Sequence, residues 1–260
     1  MADRPRTGVL SGAGRESSAG RYDDAIVRGE SEMEKDALPI GPALQWRPVP
    51  PPQKKILEGR YVRLEPIDPQ RHADDLFALS AGRDDIWTYL GYGPFADMAA
   101  FRAWLAECAR QTDPLFVAII DKASGRAAGM ASYLRIAPAN GVIEIGHIWF
   151  APAIQRTRQA TEAIFLLMRH AFDDLGYRRL EWKCDSLNAA SRRAAARFGF
   201  TFEGVFRQHM IVKGRNRDTA WFAILDGEWS AIRAGFERWL DHANFDEAGL
   251  QRSPLKTREG

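Results

Sequence analysis

Seven consecutive residues, Gln155, Arg156, Thr157, Arg158, Gln159, Ala160 and Thr161, carry two guanidiniums and two hydroxyls. They lead straight into an amphipathic run, Glu162 to Leu175, and follow a β-like run, Val142 to Phe150. A strand feeding a basic, hydroxyl-rich turn that opens a helix makes a site for a polyanion. The first backbone N–H groups of a helix lack intrahelical partners, and the helix dipole adds positive potential there. Arg156 and Arg158 strengthen that attraction and can grip phosphate oxygens in bidentate fashion. A pyrophosphate is the ligand that suits such a loop.

The rest of the chain narrows the ligand class. Its 260 residues, 45% hydrophobic and 27% charged, suffice for one large domain or two small ones. Net charge is only +2, which argues against nucleic acid and membrane as partners. From Gln155 to Arg217, however, thirteen Lys and Arg face six Asp and Glu. A basic zone in a nearly neutral protein fits a small anionic ligand better than a DNA track. The hairpin-like stretch Lys213 to Arg217 is too short to change that. Cys108 and Cys184 have no metal-ligand spacing and sit in apolar patterns, so they are read as buried, reduced thiols, and no metal is expected. No apolar run approaches the ~20 residues of a membrane span, and the N-terminus lacks a signal-peptide pattern, which points to the cytoplasm.

Elements must position the loop. Residues 1–36 are rich in Gly, Ser and charge and are expected to be disordered, and 37–54 form a Pro-rich, extended lead-in whose Trp46 can pack on the domain. The domain itself is expected over 55–243, with a loose tail at 244–260. Within it, Tyr61 to Ile67 alternates like a strand. Asp68 and Pro69 open a helix running to Leu79, a short helical turn covers Asp84 to Leu90, and Met98 to Arg110 is a second helix. Strands are expected at Leu115–Ile120, Ala127–Ile136 and Val142–Phe150, the last two joined at Asn140-Gly141. After the helix ending at Gly176, Arg179–Cys184 is a strand and Asn188 caps a helix, Ala189–Phe198. A hairpin, Phe200–Val212 and Asp218–Leu225, turns at Lys213 to Asn216, and a last helix spans Glu228–Leu240. This order predicts an α+β domain with a mixed sheet and helices on both faces.

That order, with Ile143-Glu-Ile-Gly-His-Ile-Trp-Phe150, Gln155 to Ala163, and Asn188-Ala-Ala-Ser191 running into Arg197-Phe-Gly-Phe-Thr-Phe-Glu-Gly204, resembles the GNAT superfamily of acyl-CoA-dependent N-acetyltransferases. The resemblance covers roughly Leu57 to Leu240 and is strongest to the branch of RimJ/RimL-type ribosomal-protein acetyltransferases. It implies a three-layer fold with a mostly antiparallel sheet, two splayed parallel strands, Val142–Phe150 and Arg179–Cys184, and acetyl-CoA as co-substrate with an amine as acceptor. One departure stands out. The family's loop reads Gln/Arg-x-x-Gly-x-Gly/Ala, and here Arg158 occupies the first glycine position and Ala160 the second. The cradle is then expected to change shape, with Arg158 supplying side-chain charge in exchange.

Under this resemblance the backbone at Ile148, Trp149 and Phe150 bonds the pantetheine amides, and one N–H polarises the thioester carbonyl. Glu144 and His147 are the candidate bases. A regular strand would point them to opposite faces, and a bulge at Gly146 would bring them together. An apolar setting is expected to raise the Glu144 carboxyl, although a structural carboxylate and a satisfied strand histidine are the alternatives. Ser191 would bond the leaving thiolate and Asn188 would orient the pantetheine, besides capping its helix. Trp87, Tyr89 and Tyr92 would shape the acceptor pocket. An α-amine near ~8 is roughly a tenth neutral at pH 7, whereas a lysine amine near ~10.4 is under a thousandth neutral, so one modest base suits a low-pKa amine. A protein N-terminus and a small amine both qualify, and the sequence leaves room for a homodimer. The rival from another class is a catalytically silent acyl-CoA-binding module that regulates a partner.

Overall fold

The computed structural model describes residues 38–258; the N-terminal segment expected to be disordered lies outside them. The elements are β1 (Leu57–Glu58), β2 (Val62–Pro66), α1 (Pro69–Ser80), α2 (Met98–Arg110), β3 (Leu115–Asp121), β4 (Arg126–Ala137) and β5 (Val142–Phe150). They continue with α3 (Arg158–Arg169), β6 (Arg179–Asp185), α4 (Ala189–Arg197), β7 (Thr201–Val212), β8 (Arg215–Leu225) and α5 (Asp226–Leu240). The eight strands form one sheet in the order β1-β2-β3-β4-β5-β6-β8-β7. Every junction is antiparallel except β5 with β6, which is parallel.

Each face of the sheet carries its own core. Ile143 and Ile145 of β5, Leu180 and Trp182 of β6, and Phe222 and Ile224 of β8 pack under α3, α4 and α5. Phe116, Ala118, Met130 and Trp149 pack on the other side with Leu76 of α1 and Phe101 and Leu105 of α2. The sheet is thus the middle of three layers. Period-2 strands bury one residue type on each side, and helices with apolar residues three and four apart close both.

Local chemistry explains the boundaries. Asp68 accepts from Gln70 N–H and Pro69 takes the first helical position of α1, while Asp97 accepts from Ala100 N–H at the start of α2. α3 begins at Arg158, four residues before the expected Glu162, with Thr157 at the cap. It stops as an α-helix at Arg169 and continues as a π-helical turn, His170–Asp174. Tyr133 Oη donates to the Leu167 carbonyl there, which competes with the helical ladder and accounts for the widening. β8 starts three residues earlier than expected because the hairpin needs only Lys213 and Gly214 at φ 49° and 71°. Two left-handed residues make the turn whose twist matches its strands.

One buried carboxylate ties α3 to the sheet's other end. Glu162 accepts N–H bonds from Arg60, Tyr61 and Val62 at 2.8, 2.6 and 2.8 Å. Gly59 is required beside it, since a Cβ there would lie 2.5 Å from Glu162 Oε2.

Both ends of the described chain pack more tightly than their composition suggests. Trp46 donates to the Ala139 carbonyl at 2.8 Å and covers Gly141. The tail, expected to be loose from 244 onward, lies against α5 up to Arg258. Phe245 packs edge-on to Tyr61 and Trp239, Trp239 Nε1 donates to Gln251 Oε1, and Arg258 donates to the Gly199 carbonyl. The closest approach is at Gly235, where a Cβ would stand 2.3 Å from the Lys256 carbonyl oxygen. Gly235→Ala should therefore lower stability although alanine favours a helix interior by about 1 kcal/mol. In a chain ending at residue 244 the same substitution should stabilise, and urea melts of the four proteins give the sign in each background.

Candidate active site

β5 and β6 pair only at Val142↔Arg179, Ile143↔Leu180 and Glu144↔Glu181, and then they part. β6 stays straight because β8 holds it from Arg179 to Asp185. β5 turns away through a bulge, with Met130↔Trp149 and Ser132↔Gly146 leaving an extra residue on β5, and His147 takes φ 52°. The edges facing the resulting gap lack a neighbouring strand. Ala151 N–H bonds back to Ala128, so by alternation the polar backbone of Phe150 faces the gap. Its carbonyl already accepts from Gln155 Nε2 at 3.0 Å, so the Gln155 side chain fixes the loop instead of reaching for phosphate.

The loop delivers α3 at the end of this gap. Arg156 is exposed at φ 62°. Thr157 Oγ1 donates to the Ile154 carbonyl at 2.6 Å and leaves the helix start uncapped by a side chain. Thr161 N–H is the first to bond within the turn, so those of Arg158, Gln159 and Ala160 have no partner among the described residues. The position expected to need glycine is Arg158, the first helical residue; the left-handed position is Arg156. The Arg158 side chain also departs from expectation, stacking 4.5 Å over the Tyr61 ring and 5.4 Å from that of Phe245. Its charge is held by aromatic faces, and only its backbone lies at the helix start. Ala160 and Thr161 are buried. Thr161 Oγ1 donates to the Thr157 carbonyl and accepts from Arg197 Nη1, so that hydroxyl is structural.

On the α1/α2 face the two candidate bases do share a side. Glu144 points away from the core of Ile143 and Ile145, and the bulge, at His147 instead of Gly146, turns His147 onto the same face. His147 Nδ1 lies 3.1 Å from Tyr92 Oη, with the ring stacked on Tyr92 and tilted against Phe116. Burial pulls the imidazole down to about 4, and the positive charges of Arg135 and Arg217 push the same way. Burial also pushes the Tyr92 hydroxyl well up.

The apolar setting expected for Glu144 is replaced by an ion cluster. Its carboxylate bonds Arg135 at 2.7 Å and buried Lys183 at 2.9 Å, and Lys183 also pairs with Glu181 while lying 4.0 Å from the Trp221 ring centroid. Two cations on one carboxylate make it a clamp between strands, which does not suit it to a proton-accepting role. Trp87 is also displaced from its expected part: at 1% exposure it is core, packed edge-on to Tyr92, Phe95, Trp104 and Trp149. Tyr89 is exposed and donates to the Leu187 carbonyl. Lys213 Nζ, from the β7–β8 turn, reaches the Trp87 carbonyl at 2.7 Å.

Beside β6, Asn188 caps α4 by accepting from Ser191 N–H at 3.0 Å. Ser191 Oγ accepts from Trp182 Nε1 at 2.9 Å, and its hydroxyl faces the Cys184 sulfur as a donor. A buried thiol is a weak acceptor, so an anion beside Ser191 can compete for that proton. Among the described residues no cluster of three or more His, Cys, Asp or Glu side chains is arranged to hold a metal. No helix among them is long and apolar enough to cross a membrane. The sequence assigns no role to Lys183 or Arg135, reads Trp182 as core and places Arg217 in a hairpin tip. Lys183 sits on the polar side of the alternating β6 pattern, the signature of a solvated position, and nothing local reveals its two carboxylates.

The parting strands, the sheet order and the bare helix start define the class: a three-layer acyl-CoA N-acyltransferase fold. The acetyltransferase (GNAT) domain family matches residues 62–201, more than half the chain, and the chain belongs to it. It is 55% identical to a GCN5-related N-acetyltransferase from Brucella melitensis, covering 81% of this chain and 96% of that one with a TM-score of 0.80. It is 49% identical to a candidate GNAT acetyltransferase from Chromobacterium violaceum ATCC 12472, covering 75% and 100% with a TM-score of 0.69. Over 105 residues it is 30% identical to YdaF of Bacillus subtilis strain 168, a candidate ribosomal N-acetyltransferase; the match spans 40% of this chain and 57% of that protein.

Proposed function

We propose that this acetyltransferase moves acetyl from acetyl-CoA to a primary amine by direct attack in a ternary complex, with a small amine or a protein N-terminus as acceptor. The RimJ/RimL branch and a cytoplasmic location belong to the same proposal. One observation carries it: β5 and β6 part after three residue pairs, and the bare N–H groups of α3 stand at the end of the gap. The diphosphate would rest on those N–H groups with Arg156 beside it, and the pantetheine would run along Ile148 to Phe150. The amine nitrogen bonds the thioester carbonyl carbon, the carbon–sulfur bond breaks, and the thiolate leaves. With Nδ1–H donated to Tyr92, Nε2 of neutral His147 can take the proton the amine loses. Ser191 gives a hydrogen bond to the sulfur, whose thiol near ~8.5 needs little more.

Thiol release from acetyl-CoA tests this directly. A mixed panel of amines and N-terminal peptides should contain acceptors that accelerate release above background. Ser191→Ala should lower kcat about tenfold, the scale of one hydrogen bond, with little change in acetyl-CoA affinity. The commitment of Glu144 to two cations favours the second reading, a silent acyl-CoA-binding module. Stabilisation by acetyl-CoA with no acceptor-dependent release would select it, and no response to acetyl-CoA at all would reject both.

A further inference from the structure

On the face that carries His147, the cations exceed the carboxylates that answer them. Glu144 is shared by Arg135 and Lys183, Glu181 by Lys183 and Arg179, and Arg179 also takes Glu203. Arg217 of β8 is left over. It is half-buried, its Nε donates to Thr219 Oγ1 at 3.2 Å, and no carboxylate pairs with it among the described residues. Its placement follows from alternation along β8. Ala220, Phe222 and Ile224 enter the core under α3 and α5, so Arg217, Thr219 and Trp221 face the other way, with Lys183 over the Trp221 ring. Irregular pairing of β7 between Phe206 and Met210 folds His209 back against Thr219, at 2.9 Å, beside the same guanidinium.

A half-buried guanidinium without a counter-charge is open to an anion, and its free fork matches a carboxylate. Arg135 and Arg217 are both near enough to His147 for their charge to act on its ring. The face is also narrowed from outside. Lys213 bridges from the β7–β8 turn to Trp87, and Tyr89 bridges to the loop before α4. A further cation at the acceptor would be repelled here, and a bulky one would meet these bridges.

We propose that the acceptor is a small primary amine that itself bears a carboxylate, of the α-amino-acid type, with Arg217 holding the carboxylate and Arg135 adding charge while the amine faces His147. This rests on the acetyl-transfer reading above and chooses within it, against polyamines and protein N-termini. The test compares matched acceptors on the native full-length protein: free amino acids, the corresponding amino-acid amides, a polyamine and N-terminal peptides, read by thiol release. The acids should exceed their amides by roughly 10- to 100-fold in kcat/KM, chiefly through KM, the range of one charge-assisted hydrogen bond. Arg217→Met should shrink that ratio to within about threefold, and Arg217→Lys should restore part of it. Equal use of acids and amides, or a preference for polyamine or peptides, overturns the proposal while leaving acetyl transfer intact. If no amine accelerates release, acetyl transfer itself falls and this proposal with it.

Discussion

Lys183→Met should cost about 3–5 kcal/mol of folding free energy, the scale of removing one partner from a buried ion cluster. Glu144 and Glu181 stand directly opposite each other across the parallel β5–β6 junction, at 2% and 7% exposure. Among the described residues Lys183 is the only cation paired with both, whereas Arg135 pairs with Glu144 and Arg179 with Glu181. Without it two carboxylates face each other with little water to screen them. For a domain of this size the loss corresponds to a fall in Tm of roughly 10 °C. Glu144→Gln leaves Lys183 paired with Glu181 and should cost less, about 1–2 kcal/mol. The cluster sits at the last pair before the strands part, so Lys183→Met should also blunt any response to acetyl-CoA. Equal melting of the native and Lys183→Met proteins would show that the cluster clamps nothing.

Much of the architecture was legible because it rests on short-range rules. Asp68-Pro69 and Asp97 announce helix starts, Asn140-Gly141 announces a turn, and strand periodicity places β2 to β6 within a residue or two. The β8 start shifts for a local reason, its two-residue turn, whereas the end of α3 and the tail are set by contacts distant in sequence. α3 gives way to a π turn where Tyr133 takes a carbonyl 34 residues away. The C-terminal tail reads as loose because its polar residues dominate, yet Phe245 and the close approach at Gly235 hold it to the domain. No window of a dozen residues contains that information.

The site divides along the same line. The bare helix start, the Asn188 cap and the shared face of Glu144 and His147 follow from local pattern plus one bulge. What neighbours do to each side chain does not. Arg158 looks like a phosphate ligand until Tyr61 and Phe245 are seen beneath it, and Glu144 looks apolar until Lys183 arrives from the next strand. Trp87 fails for a third reason: aromatic residues suit both cores and pockets, and only packing separates the two.

His147→Gln should produce the largest loss of activity, about a hundredfold in kcat/KM, together with a change in the pH dependence of stability. The two readouts separate chemistry from packing. Burial holds the folded imidazole down at about 4, against the ordinary value of 6.5. Between those values the unfolded chain binds the extra proton and the folded protein does not, so stability rises with pH across the window. Its contribution is complete above the unfolded value and is lost as pH falls toward the folded one, about 3 kcal/mol in all. Native stability should therefore drop between pH 7 and pH 4 by up to that amount more than the stability of His147→Gln does, as urea midpoints at each pH can show. The same shift fixes the kinetic profile. An imidazole already neutral at pH 6 contributes no inflection near 6.5, so native kcat/KM should climb only with deprotonation of the acceptor amine, near ~8 for an α-amine. An inflection near 6.5 that disappears in His147→Gln would mean that the ring is solvated in the working enzyme and that the stack on Tyr92 and Phe116 does not hold it.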